Sequence, residues 1–286
     1  LLLIGTLEYS CNNLLNENYY QTSDFTDSVF TGGIEGPAAD LQGNIYAVNF
    51  EREGTIGVSD ENGNVKLYIA LPKGSTGNGI RINREGNLFV ADYTGHNILL
   101  INKKKKEIKI HAHDSSMNQP NDIAITGNNI LFASDPDWKN SRGKLWRIDA
   151  NGKTVLLEDS MGTTNGIEVS PGDSLLYVNE SIQRNVWVYT LDSAGNIRNK
   201  RLLISFPDFG MDGMRCDDKG NLYITRYGKG TVVIVNPQGE IIKEVSLKGK
   251  KPTNITFGGK DGKTCFVTMQ DRGVIEMFRA ENKGRE

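Results

Sequence analysis

The sequence predicts an all-β fold, a six-bladed β-propeller with four antiparallel strands per blade. Three observations carry that expectation. Six segments of the 286-residue chain align with one another at intervals of 43, 43, 44, 47 and 42 residues. Each unit shows period-two apolar alternation, the pattern of a strand with one buried face. Glycine is frequent, 32 residues against 8 prolines, which suits many tight turns between short strands.

The six segments are "IEGPAADLQGNIYAVN", "GNGIRINREGNLFVAD", "PNDIAITGNNILFASD", "TNGIEVSPGDSLLYVN", "MDGMRCDDKGNLYITR" and "TNITFGGKDGKTCFVT". Each carries an Asx or Glu as its second residue, runs through a short alternating stretch such as Ile80–Ile82 or Ile167–Val169, and reaches a turn of the type Asp/Asn-x-x-Gly-Asn. A second strand follows, and Gly-Asn turns between alternating runs read as antiparallel hairpins. Third strands come next: "TIGVSD", "NILLIN", "KLWRID", "VWVYTL", "TVVIVN" and "VIEMFR". Turns such as "ENGN", "ANGK", "SAGN" and "PQGE" then lead to a more polar fourth strand, as in "VKLYIAL" or "IIKEVSL". Four strands in each unit of about 40–50 residues is the propeller pattern. The sixth unit ends near Ala280 after three strands. Its missing outer strand is expected from "SVFTGG", residues 28–33, so that the two ends of the chain close the ring and protect the sheet edges. The expected organisation is an N-terminal extension (1–22), one propeller domain (23–282) and a C-terminal tail (283–286).

Composition narrows the function classes. A formal net charge of −2 gives no electrostatic footprint for nucleic acid, and the basic run Lys103–Lys106 reads as a solvated hairpin tip. Three cysteines, Cys11, Cys216 and Cys265, form neither a disulfide framework nor a Cys-x-x-Cys zinc site. Cys216 and Cys265 are expected to be buried, inert thiols. The opening "LLLIGTLEYSCNN" is too short to span a bilayer. It is compatible with a truncated signal-peptide core, and Cys11 after Ser10 resembles a lipoprotein acceptor, although Glu8 and Tyr9 suit such a cleavage site poorly. Export and a cytoplasmic location both stay open. A small-molecule partner, a monomer and no membrane span are expected.

In a propeller the first strand of each blade lines the central channel, so the residues opening those strands converge at one mouth. Here they are Glu35, Asn78, Asn121, Asn165, Asp212 and Asn254. All six offer a side-chain oxygen, and none is apolar, Lys or His. Two carboxylates among amide oxygens suit a hard divalent cation, most simply Ca²⁺, with Mg²⁺, Mn²⁺, Zn²⁺ or Fe²⁺ as alternatives. The competing reading, Asx side chains that merely cap strand starts, explains the Asn residues but not Glu35. Asp217 and Asp218 fall in the turn at the far end of their strand. They align with Leu41 and Arg84 and with Gln42 and Glu85, and they read as turn residues. His111 and His113 alternate on an outer strand, facing solvent or a neighbouring blade. In "ASDPDWKNS", Asp135 and Asp137 lie at the ring end of a strand, where Asp135 is a candidate substrate contact and Trp138 an apolar wall. The alternative is an ordinary turn around Pro136. No G-x-S-x-G, H-E-x-x-H or Walker motif occurs.

The motifs resemble those of the senescence marker protein / gluconolactonase / luciferin-regenerating enzyme family over nearly the whole chain after residue 25. "IEGPAAD" is similar to the family's first-blade motif and carries Glu35. "QPNDIAI" places Asn121, "TTNGIEVSPGDSLLYVNES" places Asn165, and "MDGMRCDDKGNLYIT" places Asp212. The resemblance implies a six-bladed propeller with one catalytic divalent metal held by Glu35, Asn121, Asn165 and Asp212. It implies hydrolysis of lactones or, in related members, of phosphotriesters. Two positions depart from the pattern. Gln119 stands where some animal members carry a sugar-contacting Arg. Arg215 stands where some relatives use an acid to hold a second calcium, so that site is not expected in the same form.

The resulting expectation is a metal-dependent lactonase in which the ion polarises the carbonyl and Asp212 is the catalytic base. Asn78, Gln119 and Asp135 are the candidate substrate contacts, with Asn254 a weaker one. A phosphotriesterase on the same metal, or a non-catalytic propeller with a structural ion, are the alternatives.

Overall fold

The computed structural model describes residues 18–285. Six four-stranded antiparallel sheets surround a central channel, and a single short 3₁₀ turn, Pro171–Asp173, is the only helical element among the described residues. The inner strands are Phe30–Ala39, Gly77–Ile82, Ile123–Ile125, Thr164–Val169, Met214–Cys216 and Pro252–Gly258, one per blade. Inner strands are almost wholly buried, whereas outer ones such as Ile241–Ser246 are mostly exposed, matching the polar character read in the fourth strands.

Packing between blades holds the ring. Each of six apolar clusters spans one blade-to-blade interface. Tyr177, Val186 and Val188 of the fourth blade meet Met214, Leu222 and Ile224 of the fifth. The closing interface joins Phe30, Ile34 and Phe50 to Phe266 and Ile275. Each such buried side chain contributes about 1.5–3 kcal/mol relative to exposure. The inner strands also touch directly. Gly36, at φ +57, leaves its neighbour so close that a Cβ would lie 2.1 Å from the Asn78 carbonyl oxygen, so no larger residue fits there.

The ring closes as expected, but with a different segment. The outer strand of the sixth blade is Ser23–Asp24, paired with Val274–Arg279 in the register Ser23↔Met277 and Asp24↔Glu276. Residues 28–33 are not that strand. Phe30 already pairs with Phe50, and the chain runs on from it through Glu35 as the first inner strand. Arg272 secures the closure through two hydrogen bonds to Asp24, at 2.7 and 2.9 Å.

The inner hairpin turns share one device. Oδ1 of Asp40 accepts hydrogen bonds from the backbone N–H of Gln42 and Asn44, and Oδ1 of Asp217 accepts those of Lys219 and Asn221. Asp217 therefore stands in register with Asp40, not with Leu41 as the sequence alignment had it. It is the structural residue of its turn, as expected. The terminal residues 283–285 pack onto this face of the ring. The Lys283 carbonyl accepts from Asp218 N, and Arg285 N donates to the Cys216 carbonyl. Cys216 and Cys265 are free and buried, and burial pushes both thiols up. Cys11 lies outside the described residues.

Candidate active site

At the mouth where the inner strands begin, a cavity of about 500 Å³ opens. Five of the six aligned residues, Glu35, Asn78, Asn121, Asn165 and Asp212, line it. Blade geometry brings them together from positions as much as 177 residues apart in the chain. The sixth, Asn254, lies behind Glu35 and donates a 3.0 Å hydrogen bond from Nδ2 to its carboxylate. The Gly36 N–H donates to the same oxygen at 2.5 Å.

The two carboxyl groups are in an unusual electrostatic state. Glu35 is raised to about 7, first by burial and then by the negative charge of Asp122. Asp212 is pushed well above the usual carboxylate range, first by burial and then by Glu35. The Glu35 carboxyl raises that of Asp212, and the Asn165 side chain beside it offsets part of the rise. Around this pair, the Oδ1 atoms of Asn78, Asn121 and Asn165 are buried without a hydrogen-bond partner. An acceptor left in that condition costs about 1–3 kcal/mol. Two facing acids and three orphaned amide oxygens make a set of hard oxygen donors that fits a divalent cation of the Ca²⁺ class. Among the described residues no group of three or more His, Cys, Asp or Glu could hold a metal, so a His/Cys site is absent there. His111 instead packs edge-on against Phe89, and Nδ1 of His113 meets Asn97 Oδ1 at 2.9 Å.

Beneath this layer the channel is filled by paired charges. Arg81 contacts Asp122 at 3.1 Å, Arg215 contacts Asp122 at 3.5 Å, and Arg285 contacts Glu168 at 3.0 Å. Arg215 also donates to Asn254 Oδ1, linking the ionic layer to Glu35. Beyond it lies a second cavity, of about 1580 Å³, at the opposite mouth. The two cavities share no lining residue. Of the two cavities, only the smaller is lined by buried side-chain oxygens left without partners among the described residues.

The other candidates separate. Gln119 does not line the cavity; its side chain acts on the hydroxyl of Tyr93, which does. Asp135 is not a cavity residue. Its fully buried carboxylate accepts hydrogen bonds from the N–H groups of Asn118 and Gln119 and from Trp146 Nε1. Asp92 does the same work one blade earlier, for Thr76 N and Gly95 N. Trp138 does form part of the wall. The sequence reading missed Tyr93, Ser181, Tyr227 and Gln270, which also line it. Each of these four directly follows the second strand of its blade, so the same repeat register could have found them. Asn179 was also missed: its Nδ2 donates at 2.6 Å to the Asp212 carbonyl and fixes that residue's backbone.

Residues 33–271 match the SMP-30/Gluconolactonase/LRE-like region family. A gluconolactonase of Zymomonas mobilis is 27% identical over 216 residues, 67% of this chain and 60% of that protein. A 6-deoxy-6-sulfogluconolactonase of Pseudomonas putida is 27% identical over 129 residues, 44% of either chain. The chain thus matches about half the length of these curated relatives. Among solved structures, the calcium-binding protein regucalcin of Agrobacterium tumefaciens superimposes with a TM-score of 0.80 at 22% identity, covering 91% of this chain and 94% of that one. That likeness is one of fold. The family match is of another kind, because it takes in five of the six blades and every residue gathered at the cavity floor, and by it the chain belongs to the SMP-30/Gluconolactonase/LRE-like family.

Proposed function

We propose that the chain hydrolyses lactones at this cavity. The observation that carries the reading is the buried Glu35–Asp212 pair set among orphaned amide oxygens at the floor of an open pocket. Family membership supports it. Glu35, Asn121, Asn165 and Asp212 are the residues that would hold a divalent cation, Ca²⁺ first among them. Such an ion, when bound, polarises an ester carbonyl and stabilises the charge that develops on its oxygen.

The chain's own residues supply the rest. Asp212 takes a proton from water as its oxygen attacks the lactone carbonyl carbon. It returns that proton to the ring oxygen as the C–O bond breaks, leaving the hydroxy acid. A carboxyl lifted from its usual range is better matched to this transfer near neutral pH than an exposed one. Asn165 holds the Asp212 side chain and Asn179 its backbone. Asn254 and the Gly36 N–H hold Glu35. Asn78 offers its free amide oxygen to a substrate hydroxyl. Tyr93, Trp138 and Tyr227 present flat apolar faces to a ring and exclude water from its far side.

A panel of small lactones, assayed with and without chelator and with Asp212→Asn, tests the proposal. Hydrolysis by the wild type that disappears under both treatments is expected. Hydrolysis that survives both overturns the mechanism. No hydrolysis of any lactone, with calcium still binding by calorimetry, points instead to a binding propeller.

A further inference from the structure

The charged side chains that line the cavity are all of one sign. Glu35 and Asp212 at the floor and Glu53 at the rim are the only ionisable acids among the lining residues, and no Lys, Arg or His joins them. Glu53 differs from the floor pair because it is exposed and, among the described residues, takes part in no ion pair. It is nevertheless held in place. Thr31 Oγ1 donates to Glu53 Oε1 at 2.6 Å and itself accepts the Gly33 N–H at 3.0 Å. Gly33 provides the space, since a Cβ there would lie 2.8 Å from Glu53 Oε1 and 3.0 Å from Oε2. The loop carrying Glu53 is wound back over the inner strand. Asn49, Glu51 and Gly54 all adopt positive φ, and Asn49 clamps the loop by donating to the Gly33 carbonyl and accepting from Gly54 N. Neighbouring cations stand outside the lining. Lys139 is exposed beside Trp138, and Lys251 lies over the ring of Tyr227 at 5.9 Å.

We infer that Glu53 is a specificity-determining residue, a carboxylate outside any ion pair among the described residues that makes the cavity select neutral lactones and reject lactones carrying an anionic group such as a phosphate or sulfonate. The inference rests on the lactone-hydrolase reading. An anionic substituent in this pocket finds no cation among the lining side chains, whatever the protonation of the floor pair, and it meets the fixed charge of Glu53 on entry. Discrimination of this kind works by repulsion of the wrong substrate rather than by attraction of the right one. It also favours release, because the hydroxy acid formed by hydrolysis is itself an anion.

The test compares glucono-1,5-lactone with its 6-phosphate, which differ in charge but share a ring. The full chain is used with calcium present, as wild type, Glu53→Gln and Glu53→Lys, with circular dichroism melts to confirm folding. The wild type is expected to favour the neutral lactone. The ratio of kcat/KM for the phosphorylated over the neutral lactone should rise about 3-fold in Glu53→Gln and about 10-fold or more in Glu53→Lys, chiefly through KM. Both shifts should shrink at about 0.5 M salt, where an exposed charge is screened and a merely steric effect is not. A wild type that turns over both lactones equally, a ratio unmoved in Glu53→Lys, or a shift indifferent to salt overturns the inference while leaving the hydrolase reading intact. Turnover of neither lactone by the wild type, with no other neutral lactone of the panel hydrolysed, overturns the hydrolase reading, and the inference falls with it; hydrolysis of another lactone moves the same neutral-against-anionic comparison to that ring.

Discussion

At the mouth of the channel, Asn78, Asn121 and Asn165 keep amide oxygens without partners, and neither Glu35 nor Asp212 forms an ion pair among the described residues. Three residues further along the same inner strands, Arg81, Glu168 and Arg215 meet Asp122 and Arg285 in a buried lattice of opposite charges. Both layers are polar and both are buried, yet only the lower one is neutralised by its own side chains. Arg215 is lowered to about 10, first by burial and then by Arg81, and so stays charged near neutral pH beside its acids. The difference separates a layer that supports the site from a layer left open for a ligand.

Substitutions in the two layers should therefore have opposite consequences. Asp212→Asn removes the base and one of the two floor charges. Lactone kcat/KM is expected to fall about 10³-fold, while the melting temperature of the chelated protein rises because a buried repulsive carboxyl has gone. Loss of both activity and stability would show that the floor pair is structural. Arg215→Met acts on the lower layer, where it leaves Asp122 and Glu168 short of a buried partner. Urea unfolding should show a loss of about 3–5 kcal/mol. A variant as stable as the wild type would show that the lattice contributes nothing.

The pH dependence of the metal-free protein is expected to be somewhat smaller. Glu35 in the folded state is raised from 4.5 to about 7, so the native protein binds a proton that the unfolded chain has released. Its contribution is fully present below about pH 4.5 and is lost as pH rises through about 7, a change on the order of 3 kcal/mol. Urea midpoints of chelated protein should fall across that window, and saturating calcium should flatten the slope. A flat profile without calcium would contradict the rise that burial and Asp122 impose on Glu35. The smallest effect is expected from Asp217→Ala in the turn at the opposite face. It removes acceptors for Lys219 N and Asn221 N and should cost about 1–2 kcal/mol by urea unfolding, with lactone kcat/KM unchanged.

The repeat made much of this legible in the sequence. An interval of about 43 residues is enough to superpose Glu35, Asn121, Asn165 and Asp212, because pseudo-symmetry turns sequence register into spatial proximity. What escaped has local causes. Ser23–Asp24 is a strand of two residues, too short to show any alternation, whereas residues 28–33 resemble a strand because they lead into one. Asp135 was assigned to the rim from its position at a strand end, but its carboxylate turns back onto Asn118, Gln119 and Trp146. The four rim residues that were missed, Tyr93, Ser181, Tyr227 and Gln270, share a register but not a residue type, so no chemical pattern flagged them in the sequence.

The lower lattice also decides how traffic moves through the molecule. A propeller is commonly pictured as a tube, but here Arg81, Asp122, Glu168, Arg215 and Arg285 stopper it, and the two cavities stay separate. The cavity is then a well with one doorway. Whatever enters and whatever leaves share that doorway, so on the proposed lactonase reading each hydroxy acid would have to leave past Glu53 and the aromatic rim before the next ring could come in.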